Sequence, residues 1–263
     1  MSNSIVQRDS GSGAAVQSVD RALLVLEILA QSGPTGITQL AEEIGVHKST
    51  ASRLVAVLEG RGFVERGANG KYQLGFAVVR LAGSASGVRD LGKASQRKCD
   101  ELAARLGETV NLAIFEDGLA INIVEAPGPA EVVLRSWVGQ ASPAHATSSG
   151  KALIAELNPL ELRERLSGRL ERFTANTITD FTVLEEHLAL VREQGWAYAA
   201  EELELGLNAV AAPVRGNTTA IVAALCVSGP SYRMPQSALP SMAQEILGSA
   251  REISLRLGYP SRR

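Results

Sequence analysis

From Ser18, a suitable N-cap, the run VDRALLVLEILAQSG places apolar residues at Val19, Ala22, Leu23, Leu26, Leu29 and Ala30. That three- and four-residue spacing draws one face of a helix, which Gly33-Pro34 ends. A second helix is expected from Thr38, as its cap, to Ile44, and a third from about Lys48 to Glu59, after Gly45-Val46. Next, GFVERGANGKYQLG offers two short extended runs joined through Asn69-Gly70, the strongest short hairpin signal. Three helices and a hairpin are complete by Gly75.

Helical spacing resumes from Phe76 to Gly107 and breaks at GSASG, residues 83–87, which marks a boundary between two domains. Beyond it TVNLAIF, LAINIVEA and EVVLRSWVG alternate as antiparallel strands do, the first two joined at Asp117-Gly118. Helices are expected at about 148–157, 159–166, 180–194 and 237–257, with strands NAVAAPV and TAIVAALCVSG between the last two. The expected class is α+β, with a mostly antiparallel sheet in the second domain.

Bulk composition narrows this only slightly. A length of 263 residues suits two domains, and 45% hydrophobic with 21% charged residues is ordinary for a globular chain. Cys99 and Cys226 stand far apart and outside any CxxC spacing, which removes a zinc ribbon and suits a reducing cytoplasm. Residues 1–17, rich in Ser and Gly, read as a disordered tail without a targeting pattern. No apolar run approaches the roughly 18 residues of a membrane span, so no membrane partner is expected. The net charge of −2 gives no bulk argument for nucleic acid.

Local geometry does. In ITQLAEEIGVHKSTASRLVAVLE, Ala41 is small where two helices would touch, and Ile44, Val46, Ala51 and Leu54 fall where the pair needs a core. Gly45 supplies the positive φ of a tight interhelix turn. His47, Lys48, Ser49, Thr50, Ser52 and Arg53 are left at the exposed start of the next helix, where hydrogen-bonding side chains suit the edge of a DNA major groove. The hairpin then acts as a wing, with Lys71 as a phosphate contact. Residues 1–72 hold seven basic and seven acidic side chains, so one module binds phosphates modestly and a dimer is expected. Arg80, Arg89, Lys93, Arg97 and Lys98 add positive charge near the boundary, or form an ordinary solvated helix face.

The stretch HATSSGKAL, His145 to Leu153, carries candidate chemistry of three kinds. A phosphate loop needs a glycine four residues before Gly-Lys and a hydroxyl after it, and both are missing. Ser148-x-x-Lys151 has the spacing of a serine nucleophile and lysine base, but no Lys-Thr-Gly or Ser-Asp-Asn element accompanies it. This serine-hydrolase alternative is therefore weak, and no catalytic residue is assigned. The third reading is a helix start at which Thr147 or Ser148 caps, while Ser149, Gly150 and Lys151 offer backbone N–H groups to a carboxylate. The plainest alternative leaves the serines as caps and Lys151 on the surface. His145 is expected to bond a backbone carbonyl, and with His47 and His187 in other elements no metal site forms.

Across about 18–257 the chain resembles the IclR family of bacterial transcription regulators. The resemblance is carried by SVDRALLVLEIL, TQLAEEIGVHKSTASRLVAVLEGRGFVER, YQLG, GETVNLA, HATSSGKALIAEL, GWAYAAEELELGLNAVAAPV and LCVSGP. It implies a winged helix-turn-helix at 18–75, a linker helix at 76–93 and a GAF-like effector domain at 94–260. It also implies a double-stranded DNA operator, a small organic acid effector, a homodimer or homotetramer, and no cofactor. The effector pocket would lie between the Ser148-Ser149 helix start and strands holding Leu134, Ala199, Leu207, Ala209, Cys226 and Ser228. This chain has alanines at 199, 200 and 209 where relatives commonly carry polar groups, and Cys226 where Ser is common. A buried ligand atom left unpaired costs on the order of 1 to 3 kcal/mol. The expected effector is thus a carboxylate with a less polar body, aromatic or branched, rather than a small keto acid.

Overall fold

The computed structural model describes residues 17–67, 69–78, 81, 86–128 and 138–260. It divides into two compact units, Met1–Ala85 and Ser86–Arg263.

The first unit is a winged helix-turn-helix. Helix α1 (Gln17–Ser32) turns at Gly33 into α2 (Ile37–Glu43) and α3 (Lys48–Gly60), followed by β1 (Val64–Arg66) and β2 (Tyr72–Leu74). Helix α2 begins at Ile37 behind Gly36, which has no side chain to cap with; Thr38 lies inside the helix instead of capping it. Gly45 takes φ +65°, and Val46 N–H donates to the Ala41 carbonyl at 2.9 Å. The turn is thereby closed at the place where the helices touch. Val25, Ile28 and Leu29 pack on Leu40, Ala41, Ile44, Ala51, Val55, Leu58 and Val64, with Val46 and Leu54 at the margin. Each fully buried aliphatic side chain there contributes about 1.5 to 3 kcal/mol. The hairpin is tied to the α1–α2 loop by two hydrogen bonds exchanged between Thr35 and Tyr72, both 2.9 Å. A further helical turn starts at Phe76.

The second unit is α+β. Helix α4 (Ser86–Leu106) leads into β3 (Thr109–Glu116) and β4 (Leu119–Ala126). It runs unbroken through position 93, where the family resemblance put the end of the linker helix. Then come β5 (Ala141–Pro143), a short 3-10 turn (Ala144–Ala146), α5 (Ser148–Ile154), α6 (Pro159–Arg165), α7 (Phe181–Gln194), β6 (Ala197–Ala200), β7 (Leu207–Arg215), β8 (Ile221–Pro230) and α8 (Leu239–Arg256). The six strands pair antiparallel in the order β5-β4-β3-β8-β7-β6. Both residues of the Asp117-Gly118 turn have positive φ, as a tight two-residue hairpin requires. The expected strand EVVLRSWVG, with Leu134 and Trp137, falls mostly outside the described residues.

Strand alternation divides the sheet into two faces. Val110, Leu112, Val210, Ala212, Val214, Leu225 and Val227 pack against α4 and α8 through Cys99, Leu102, Ala243, Ile246, Ala250 and Ile253. The opposite face is built of small side chains, Ala113, Ala120, Ala197, Ala211, Ala224 and Cys226, and takes α5 through Ala152, Leu153 and Ala155. Small residues let the helix lie close. They also leave a hollow at the start of that helix.

Candidate functional site

Strand register organises that hollow. One row across the sheet reads Asn111, Cys226, Ala211, Ala197, and the next reads Thr109, Ser228, Ala209, Ala199. Asn111 and Cys226 of the first row and all four residues of the second floor a cleft of about 340 Å³. The start of α5 forms one wall, the β6–β7 loop from Glu202 to Gly206 a second, and Ala120, Asn122 and Ser142 of β4 and β5 a third. Ser148, Ser149, Ala199, Leu207, Ala209, Cys226 and Ser228 therefore converge on one cavity of a size that holds a small organic molecule. Leu134 lies outside the described residues.

The start of α5 differs from expectation in its hydrogen bonding. Thr147 is the cap, and its Oγ1 accepts from Gly150 N–H at 3.1 Å. Lys151 N–H already donates to the Thr147 carbonyl at 3.0 Å. Neither Gly150 nor Lys151 thus has a backbone N–H to spare, and the groups without such a partner among the described residues are those of Ser148 and Ser149. Gly150 serves packing: a Cβ there would overlap the backbone of Ala144. Ser148 Oγ lies 3.3 Å from Cys226 Sγ, and burial pushes that thiol up to about 11, which makes it an unreactive neutral lining group.

Lys151 is neither a surface residue nor a base for Ser148. Its side chain is fully buried, Nζ donates to Glu202 Oε1 at 2.6 Å, and the ammonium lies 5.6 Å from the Tyr198 ring centroid. Burial lowers the lysine and raises the glutamate, and each partner's charge opposes that drift. Glu202 is held in turn, since Thr177 Oγ1 donates to its carbonyl at 2.6 Å. A lysine so committed cannot take a proton from Ser148. His145, expected to bond a carbonyl, lies 2.8 Å from that of Glu171, and Trp196 packs on the α8 side of the sheet.

Several lining residues went unnoticed in the sequence: Thr109, Asn111, Asn122, Ser142, Glu202 and Glu204. They make the cleft more polar than its alanines suggest. The alternation of TVNLAIF put Asn111 on one face with Ala113, which was the available signal for it. Nothing local marks Glu202, which a loop carries inward.

In the first unit, His47 is the extended N-cap of α3, and its Nδ1 accepts from Ser49 N–H at 3.4 Å. Lys48, Ser49, Ser52 and Arg53 are exposed and Thr50 half-buried, while Ala51 and Val55 point into the core. The start of α3 therefore presents four hydrogen-bonding side chains on one outward edge. Lys71 is exposed beside Gly70, its N–H held by Asn69 Oδ1 at 3.0 Å. Farther on, Lys98 is paired with Glu101 and Glu252, and Arg97 with Glu101, so this part of α4 is an ion-paired face.

A helix-turn-helix with an exposed polar edge, in a chain whose second unit encloses a cleft sized for a small organic molecule, is the architecture of a transcription regulator. Residues 18–68 match the IclR helix-turn-helix domain, and residues 84–255 match the family described as bacterial transcriptional regulator IclR C-terminal. The chain belongs to the IclR family. It is 32% identical to the HTH-type transcriptional regulator XynR of Escherichia coli over 94% of this chain and 99% of that one. It is 37% identical to the HTH-type transcriptional regulator Rv1719 of Mycobacterium tuberculosis, over 82% and 83%. Among solved structures, an IclR homolog of Microbacterium hydrocarbonoxydans complexed with 4-hydroxybenzoate superposes with a TM-score of 0.79 at 27% identity, covering 91% of this chain and 98% of that one.

Proposed function

We propose that this regulator binds a pseudo-palindromic operator in double-stranded DNA as a homodimer or homotetramer, and that a small carboxylate metabolite controls the binding. The observation that carries this reading is the cleft, whose floor and walls gather seven of the eight residues expected at an effector site. The acid would meet the N–H groups and hydroxyls of Ser148 and Ser149, and its less polar body would rest on Ala199, Leu207, Ala209 and Cys226. That a homolog was crystallised with an aromatic acid supports this class of ligand.

On the DNA side, Lys48, Ser49, Thr50, Ser52 and Arg53 face the groove, His47 orients the helix start, and Lys71 meets a phosphate. Self-association is supported by an open apolar groove in the first unit, lined by Leu23, Leu26, Leu58, Phe63, Leu74 and Leu81. The reading favours repression over activation, in line with relatives named repressors, such as AllR of Klebsiella pneumoniae. No helix among the described residues is long and apolar enough to cross a membrane, which agrees with action in the cytoplasm.

Footprinting the DNA upstream of its own gene, with and without a panel of aromatic and branched acids, tests the reading. A protected inverted repeat whose protection an acid changes is expected. Equal affinity for that DNA and random DNA contradicts it.

A further inference from the structure

The side of α8 turned away from the sheet is exposed at Gln244, Glu245, Gly248, Arg251, Glu252 and Leu255, while Ala243, Ile246, Ala250 and Ile253 hold the other side in the core. Gly248 is out of place there. It lies mid-helix, where glycine lowers the folding equilibrium about fivefold relative to alanine, and a Cβ on it would meet nothing within 4 Å. No group of this chain fills the space, which suits the close approach of a second backbone.

A groove runs along each flank of Gly248, and the two are chemically opposite. One, of about 590 Å³, holds Arg215 and Arg251. Arg215 is matched by Glu156, whereas Arg251 has no hydrogen-bond or ion-pair partner among the described residues. The other, of about 280 Å³, lies between α8 and α4 and carries the carboxylates of Glu101, Glu245 and Glu252. Glu245 and Glu252 each use Oε2, on Arg105 at 3.0 Å and on Lys98 at 2.6 Å. A carboxylate accepts several donors, so both have capacity for one more.

Helix geometry relates the two flanks. Glu245 and Arg251 stand three residues before and after Gly248, about 60° to either side of it and about 4.5 Å along the axis. A two-fold axis through Gly248, perpendicular to α8, exchanges those offsets. It lays a second α8 antiparallel on the first, with Arg251 over the partner's Glu245. Gln244 and Glu252, four residues to either side, meet in the same way, amide on carboxylate.

We propose that the outer face of α8 is an interface between two copies of this chain, an isologous antiparallel pair that crosses at Gly248 and is fastened by Arg251 on the partner's Glu245. This inference rests on the homo-oligomer reading and assigns one of its contacts. The α8 face lies in the second unit and the apolar groove in the first, so either alone gives a dimer and both give a tetramer.

Sedimentation equilibrium of the full chain tests it. Arg251→Glu sets carboxylate on carboxylate at both symmetric contacts, and should raise the dissociation constant about tenfold or more and halve the mass where the wild type is just assembled. Glu245→Arg should do the same, and the double exchange Arg251→Glu/Glu245→Arg should restore the mass, because the pairs re-form with their signs reversed. Gly248→Gln fills the crossing point with a better helix former, and should halve the mass with the far-ultraviolet circular dichroism unchanged.

A mass unchanged by all three single variants overturns the α8 interface, gives this face to another occupant and leaves association through the first unit standing. A wild type monomeric at every concentration overturns both. Single variants that dissociate without recovery in the double exchange overturn the Arg251–Glu245 pairing and the two-fold that it defines.

Discussion

The ammonium of Lys151 and the carboxylate of Glu202 meet at 2.6 Å with the lysine side chain fully shielded from water. The pair joins the first turn of α5 to the β6–β7 loop, two of the three walls of the cleft. Removing one partner strands the other charge in a dry environment. Lys151→Met should therefore lower unfolding stability by about 3 to 5 kcal/mol, and the double variant Lys151→Met/Glu202→Leu should recover most of the loss. Urea denaturation of the three proteins checks this; equal stability of wild type and single variant would show that the contact is not formed in solution.

His187 sets a pH dependence. Burial, with Lys151 adding repulsion, pushes its imidazole down to about 4, and burial lowers His145 as well. Both rings protonate near 6.5 in the unfolded chain, so between about pH 6.5 and 4 the unfolded state binds more protons and stability falls as pH falls. For His187, whose ring is partly exposed, solvent screening leaves a loss of roughly 1 to 2 kcal/mol. His187→Phe keeps a ring against Tyr198, now 4.9 Å away, and should flatten the profile. Urea midpoints at pH 7 and pH 5 read the difference, and an unchanged slope in the variant contradicts the assignment.

Two glycines should respond to alanine for different reasons. Gly45 has open space around its missing Cβ but φ +65°, so Gly45→Ala costs only the left-handed backbone, roughly 1 to 2 kcal/mol. Gly150→Ala drives a methyl into the Ala144 backbone and should cost about 3 kcal/mol or more. It should also weaken acid binding, because Ser148 and Ser149 precede it. Thermal unfolding and calorimetry separate the two effects; a neutral Gly150→Ala would contradict the packing.

DNA contacts should divide by type. Arg53 is exposed on the outward edge of α3, so Arg53→Ala should leave thermal stability unchanged and weaken operator binding by about 1 to 3 kcal/mol. Lys71→Ala should weaken operator and random DNA alike and reduce the salt dependence by about one counterion. Anisotropy titrations at several salt concentrations distinguish the two; a Lys71 effect confined to the operator would move that residue to a base contact.

Much of the fold was legible because its punctuation is chemical. Gly45, Gly70 and Asp117-Gly118 stand where positive φ is needed, and helical periodicity placed α3, α6, α7 and α8 within a few residues. The missed strands lack such marks. β5 is three residues long and includes a proline, and β6 reads AYAA, with little strand propensity of its own; pairing with β4 and β7 makes them strands. At the cleft, Ala199, Ala209, Cys226 and Ser228 were readable through the family pattern. Lys151 and Glu202 were not, since lysine is by default a surface residue and its burial follows only from a partner 51 positions away.

Coupling between cleft and DNA is the central claim, and anisotropy of labelled upstream DNA, titrated with protein while an acid shown by calorimetry to bind is held at saturation, tests it most directly. The account predicts a change in operator affinity of about 5- to 150-fold, with the reciprocal change in acid affinity when operator is bound. Identical operator affinities with and without saturating acid would contradict it.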